Sequence, residues 1–122
     1  MKSILIVEDI DLNLDLITQI LEDDYKLLVA KDGYQGVAQT HLHMPDLILM
    51  DISLPGMDGY QATRIIHEEF PNLPIIGLSA HAMQSDIEKA MSAGCTDYLT
   101  KPVDPDLLVA KVEKYLEKYE RL

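Results

Sequence analysis

The chain has 122 residues, 48% of them hydrophobic, so it is long and apolar enough to bury the core of one domain. Its 21 acidic residues outnumber its 10 lysines and arginines, and the resulting net charge of −11 repels nucleic-acid phosphates and anionic lipid surfaces. The composition therefore disfavours direct binding to nucleic acid or to a membrane.

The first apolar run, residues 3–7, ends at Glu8 and Asp9. It is too short for the core of a signal peptide or for a membrane span, so we interpret it as a strand. The single cysteine, Cys95, excludes an internal disulfide and fits a reducing compartment. These features predict a cytoplasmic protein in which Cys95 is a small buried hydrophobic residue.

Short apolar runs alternate with helical patterns along the chain. The candidate strands are ILIV (4–7), LLVA (27–30), LILM (47–50), PIIGLSA (74–80) and DYLTK (97–101). Because successive positions within most of these runs are apolar, we expect parallel strands covered by helices on both faces. The sequence therefore predicts an α/β domain of five βα units. Lys31 and Asp32 follow the second strand, which suits a position at the edge of the sheet.

Three of the predicted helices carry start signals in the sequence. Asp58 precedes the third helical pattern as a candidate N-cap. Ser85 and Glu88 have the spacing of a capping box at the start of the fourth. Asp104 followed by Pro105 predicts an N-cap and a first helical residue for the last helix.

Polar residues follow four of the predicted strands, and they are Glu8, Asp9, Asp51, Ser79 and Lys101. The carboxyl ends of parallel strands form the ligand crevice of open α/β sheets. Three carboxylates gathered there repel one another, and a hard divalent cation such as Mg²⁺ relieves the repulsion. Asp51 could then attack phosphorus as a nucleophile, while Lys101 and Ser79 neutralise charge on the transferring group.

The motifs that carry a family resemblance are VED (7–9), DLILMDISLPGMDG (46–59), LSA (78–80) and DYLTKP (97–102). With them the chain resembles the receiver domains of two-component response regulators, including the single-domain, chemotaxis-regulator-like members, from about Ser3 to its end. The resemblance implies a flavodoxin-like (βα)5 three-layer sandwich with the parallel strand order 2-1-3-4-5.

The resemblance also implies a metal site for Mg²⁺ or Mn²⁺. Its ligands would be Glu8, Asp9, the phosphoacceptor Asp51 and the backbone carbonyl of Ser53. Ile10 follows the acidic pair where many family members carry a polar residue. This departure alters access to the metal without removing a ligand.

A switch is the second implication of the resemblance. Ser79 would be the switch hydroxyl, Tyr98 the switch aromatic and Lys101 the phosphate-binding lysine. Ser53 and His81 occupy two variable positions that, in the family, tune how fast the aspartyl phosphate hydrolyses.

By the same resemblance, residues 1–122 form a single receiver domain without an effector domain. It would take a phosphoryl group from a sensor histidine kinase or a histidine phosphotransfer protein, within a two-component system or a phosphorelay. It would then bind a downstream protein through the face around strand five and the last two helices, or pass the group onward. Such a protein is not an enzyme, although it assists its own phosphorylation and dephosphorylation. The resemblance also favours a cis peptide before Pro102.

Two other function classes deserve comparison with this interpretation. A flavodoxin-like electron carrier needs a Ser, Thr or Gly-rich phosphate loop after the first strand, whereas EDIDLN (8–13) is acidic and lacks glycine. An aspartate-nucleophile phosphohydrolase carries its nucleophile just after the first strand, whereas Asp51 follows the third. The receiver interpretation accounts for both features.

Overall fold

Strands and helices alternate along the chain, and the computed structural model describes residues 1–81 and 83–120. The strands are β1 (Ser3–Val7), β2 (Lys26–Ala30), β3 (Leu47–Asp51), β4 (Ile75–Ser79) and β5 (Asp97–Thr100). The helices are α1 (Asp11–Leu21), α2 (Gly33–His43), α3 (Gly59–Glu69), α4 (Gln84–Ala93) and α5 (Pro105–Glu120). Neighbouring strands are all parallel, in the order β2-β1-β3-β4-β5. The predicted strand order and the edge position of β2 are confirmed.

Alternate strand residues supply the two hydrophobic layers of the fold. One layer packs strand residues such as Ile6 and Leu49 against α1 and α5. The other packs residues such as Val7 and Met50 against α2, α3 and α4. Because both faces of the sheet are covered, the strands are apolar at consecutive positions, as the sequence predicts. Cys95 lies buried in the second layer, and burial raises the pKa of its thiol to about 11.

The register of the sheet aligns the carboxyl ends of its central strands. Val7 pairs with Met50, and Asp51 pairs with Leu78 on the next strand. Ser79 pairs with Thr100 at the end of β5. The polar residues that follow these strands therefore meet along one edge of the sheet.

Helix starts agree with the sequence signals at α3 and α5. Asp58 caps α3 as predicted, and with Gln61 it also forms a capping box. Asp104 accepts hydrogen bonds from the backbone amides of Asp106 and Leu107 at the start of α5.

The predicted capping box of α4 is wrong. Helix α4 begins at Gln84, its N-cap is Met83, and the N-cap side chain makes no capping hydrogen bond. Ser85 therefore lies inside the first turn, where its hydroxyl cannot take the capping position. Glu88 instead accepts a hydrogen bond from the side chain of Gln84 at 3.3 Å.

Candidate functional site

Three carboxylates meet at the carboxyl ends of β1 and β3. Glu8 and Asp9 follow β1, and Asp51 is the last residue of the neighbouring β3. One oxygen from each lies within 4.8 Å of the others. Glu8 is fully buried and Asp51 is 1% exposed. The predicted acidic cluster therefore forms, and most of it lies below the protein surface.

Lys101 provides a positive charge within this cluster. Its ammonium nitrogen lies 3.0 Å from Glu8 Oε1 and 3.0 Å from Asp51 Oδ1. The lysine follows β5, and its long side chain passes the end of β4 to reach the carboxylates. Its peptide bond with Pro102 is cis, as expected. One ammonium faces three carboxylates, so the site keeps an excess of negative charge.

The pKa values of the three carboxylates shift in different directions. Burial, followed by the hydrogen bond with Asp51, raises the pKa of Glu8 to about 7. Burial and Asp51 also raise the pKa of Asp9. Burial alone would raise the pKa of Asp51, but hydrogen bonds with Glu8 and Lys101 outweigh it and lower that pKa. Asp51 is therefore the carboxylate that stays ionised, as a nucleophile must.

The residues present fit a hard divalent cation. Oδ1 of Asp9 is buried and has no hydrogen-bond partner, which is costly for a carboxylate oxygen unless a ligand satisfies it. All the side-chain atoms that could bind a metal in this cluster are oxygens, and carboxylates are the ligands that Mg²⁺ prefers. Glu8, Asp9 and Asp51 could therefore hold such an ion. Ser53 is next to this group, and its backbone amide donates to Asp51 Oδ1 at 3.0 Å.

The switch candidates are connected through the backbone of His81. Ser79 is the last residue of β4, and its Oγ accepts a hydrogen bond from the His81 amide at 3.1 Å. The hydroxyl of Tyr98 donates to the His81 carbonyl. Because the Ser79 oxygen accepts the His81 amide hydrogen, its own hydroxyl proton is available for another acceptor. The involvement of the His81 backbone has no sequence signal, because any residue except proline provides the same groups.

A cleft of 410 Å³ opens above Asp51. Its lining residues are Asp9, Ile10, Asn13, Asp51, Ser53, Ala80, Lys101 and Pro102. Of the candidate site residues, Glu8, Ser79, Tyr98 and His81 do not line it. Asn13, Ala80 and Pro102 were not identified from the sequence as walls of the cleft. For Asn13 the sequence offers a signal, because it lies in the first turn of the helix that follows the acidic pair.

A family model for the response regulator receiver domain matches residues 4–113. The chain belongs to the response regulator receiver family. This confirms the resemblance, and it disfavours the flavodoxin-like electron carrier. In the described part of this receiver, no helix is both long and apolar enough to cross a membrane.

Individual relatives agree with this assignment. The receiver is 34% identical over 118 residues to the polar-differentiation response regulator DivK of Brucella anthropi, covering 94% of this chain and 96% of that protein. A CheY-like receiver domain protein from Methanospirillum hungatei superimposes with a TM-score of 0.93 at 32% identity, covering 99% of this chain and 98% of the other.

A third relative was solved with its metal. The receiver domain of a sensor histidine kinase from Pseudomonas aeruginosa has a magnesium ion coordinated in its active-site cleft. It is 38% identical to this chain, with a TM-score of 0.88, and the match covers 95% of this chain and 98% of that domain.

Proposed function

We propose that Asp51 accepts a phosphoryl group from a phosphohistidine, carried by a sensor histidine kinase or a histidine phosphotransfer protein. The observation that carries this proposal is the pairing of an ionised Asp51 with Lys101 at 3.0 Å, at the floor of an open cleft. Both the Lys101 ammonium and the Ser53 amide contact Oδ1, so two contacts hold this oxygen in place.

Glu8, Asp9, Asp51 and the backbone carbonyl of Ser53 would hold Mg²⁺, or the similar oxygen-preferring Mn²⁺. The partnerless oxygen of Asp9 supports this ligand set, as does the magnesium in the Pseudomonas aeruginosa relative. When bound, the metal supplies positive charge that neutralises the phosphoryl oxygens.

Phosphorylation would then be sensed by two groups that approach the new phosphoryl oxygens. Lys101 would exchange part of its contact with Glu8 for the phosphoryl group, and Ser79 would donate its hydroxyl proton. Because Ser79 and Tyr98 both bind the His81 backbone, a movement of Ser79 would be felt at Tyr98. The element with two states would be the segment from Ser79 to His81 that follows β4.

The output would be a changed surface around β5, α4 and α5. Met83 and Met91 on this face are 68% and 45% exposed, which suits a protein-binding surface. A downstream protein would bind there, or the phosphoryl group would pass onward in a relay. The exposed Ser53 and His81 would tune the lifetime of the phosphoryl group by controlling the approach of water.

The remaining expectations follow from the same proposal. The family match over residues 4–113 supports one receiver domain within residues 1–122. The receiver would act in the cytoplasm, where kinase domains have access to it. Its only catalysis would be assistance in the phosphorylation and dephosphorylation of Asp51.

Replacing the nucleophile tests the proposal directly. Incubation with phosphoramidate and Mg²⁺ should add one phosphoryl group to the wild type and none to Asp51→Asn, measured by intact mass. Asp58→Asn is the matched control, because asparagine caps α3 as well as aspartate and the site is untouched. Labelling of Asp51→Asn at the wild-type level would refute the assignment.

A further inference from the structure

Ile10 is an exposed apolar side chain beside the charged floor of the cleft. Its exposed fraction is 52%, and it lines the cleft together with the 1% exposed Asp51. Ala80 and Pro102, which are also exposed and nonpolar, line the same cleft from the ends of β4 and β5. The cleft thus combines a charged floor with an apolar rim, to which Ile10 contributes the largest side chain.

Isoleucine is a poor choice for this position if only stability matters. Ile10 is the N-cap of α1, with extended backbone angles (φ −96°, ψ 115°) and no side-chain capping bond. Asparagine, aspartate, serine and threonine are preferred at N-caps because their side-chain oxygens accept a backbone amide hydrogen. Ile10 lacks that bond and also exposes apolar surface to water. A conflict with local rules that brings no stability is typical of functional positions.

The geometry of phosphoryl transfer brings the rim close to the leaving group. The attacking and leaving atoms lie roughly in line on opposite sides of phosphorus. With Asp51 attacking from the floor, the leaving group points towards the open end of the cleft. Charges at the cleft floor contact the phosphoryl oxygens, which are present in every phosphoryl donor. The apolar rim contacts the leaving group, which differs from one donor to another.

We propose that Ile10 is a specificity-determining residue that favours phosphoryl donors whose leaving group is an imidazole ring. This inference rests on the proposed transfer to Asp51. In that step the P–N bond of the donor breaks and a P–O bond to the Asp51 carboxylate forms. The ring, protonated on its other nitrogen, leaves as neutral imidazole with the electron pair of the broken bond. Ile10 packs against the ring, and no equivalent contact exists for a leaving group such as ammonia.

Two small phosphoryl donors distinguish an effect of Ile10 on the leaving group from an effect on the phosphoryl transfer that both donors undergo. Phosphoimidazole and phosphoramidate both transfer from nitrogen, but they release imidazole and ammonia respectively. With Mg²⁺ present, Ile10→Asn should lower the phosphorylation rate with phosphoimidazole by about tenfold, and that with phosphoramidate by less than about twofold. Ile10→Val keeps an apolar side chain and should retain most of the preference for imidazole.

The variant is not expected to fail by unfolding. Asparagine at position 10 supplies the missing N-cap acceptor, so the melting temperature of Ile10→Asn should be equal to or above that of the wild type. The matched control is Leu42→Asn, which replaces another exposed leucine-sized side chain, 73% exposed near the end of α2. It should change neither rate.

Equal loss of rate with both donors would overturn the inference, because Ile10 would then act on the shared phosphoryl step. An unchanged ratio of the two rates in Ile10→Asn would also overturn it. Failure of the wild type to be labelled by either donor, or labelling of Asp51→Asn, would instead refute the proposed function on which the inference rests.

Discussion

At the scale of single residues, the proposed metal binding would depend on the protonation state of Glu8. Its carboxyl is fully buried and its pKa is raised to about 7, first by burial and then by the hydrogen bond with Asp51. A metal ligand must be deprotonated, so binding of Mg²⁺ has to release this proton at lower pH. In the proposed site, the buried position of Glu8 would set the pH range in which Mg²⁺ binds.

We predict that the affinity for Mg²⁺ rises between about pH 6 and pH 8 by up to about tenfold, because Glu8 loses its proton in this range. The same raised pKa lowers the stability of the metal-free protein as pH increases from 4.5 to about 7, since the folded state holds a proton that the unfolded chain has released. Titration calorimetry of the wild type and Glu8→Gln provides the measurement. A wild-type affinity that stays constant across this range would contradict the assignment.

The sequence predicts which residues occupy the site better than it predicts their protonation states and backbone contacts. Polar residues at strand ends identify Glu8, Asp51 and Lys101, because parallel strands bring those ends together. The raised pKa of Glu8 and the lowered pKa of Asp51 depend on distances and burial that no spacing pattern contains. The same holds for the bonds to the His81 backbone, since backbone groups carry no sequence signal.

At the scale of elements, Asp97 fixes α5 to the start of β5. Its Oδ2 accepts hydrogen bonds from the Lys111 ammonium at 2.8 Å and from the Tyr115 hydroxyl at 2.7 Å. Its Oδ1 accepts the backbone amide of Tyr98 at 2.7 Å. Burial alone would raise the pKa of Asp97, but the bonds with Lys111 and Tyr115 outweigh it and lower that pKa. The helix that borders the proposed output face is therefore held by an ionised carboxylate.

Asp97→Asn should lower the free energy of unfolding by about 2 kcal/mol at neutral pH, because it weakens charge-assisted hydrogen bonds from two residues of α5. Tyr115→Phe, which removes one of them, should cost about 1 kcal/mol. The contribution of the ionised carboxylate is present above its unfolded pKa of 3.8 and is lost as pH falls through the lower folded value. Urea unfolding at several pH values measures the difference in free energy of unfolding between the wild type and Asp97→Asn. A difference that does not decrease in acid would contradict this explanation.

Element positions are predicted well where apolar runs define them. Each predicted strand bound lies within one residue of the observed bound. The capping box at Ser85 is wrong because the same spacing also occurs inside helices. Before α4, the carbonyl of His81 accepts a hydrogen bond from the hydroxyl of Tyr98, a residue 17 positions further along the chain, and no local spacing reveals such a contact.

At the scale of the whole molecule, the fold places a buried charged site near a helix with exposed methionines. The site lies at the ends of the central strands, while Met83 and Met91 lie on α4 or beside it. The βα alternation predicts a parallel sheet with two covered faces, which the structure has. The strand order came from the family resemblance, because apolar runs do not specify which strands pair.

The central claim is that Asp51 is a metal-dependent phosphoacceptor whose modification moves the surface near β5. The most direct test is an amide NMR spectrum with Mg²⁺, before and after addition of beryllofluoride, an acyl-phosphate mimic, for the wild type and Asp51→Asn. We predict shifts at Asp51, Ser79, Tyr98 and Lys101 in the wild type and none in the variant. Shifts of equal size in both proteins, or no shifts in either, would contradict the claim.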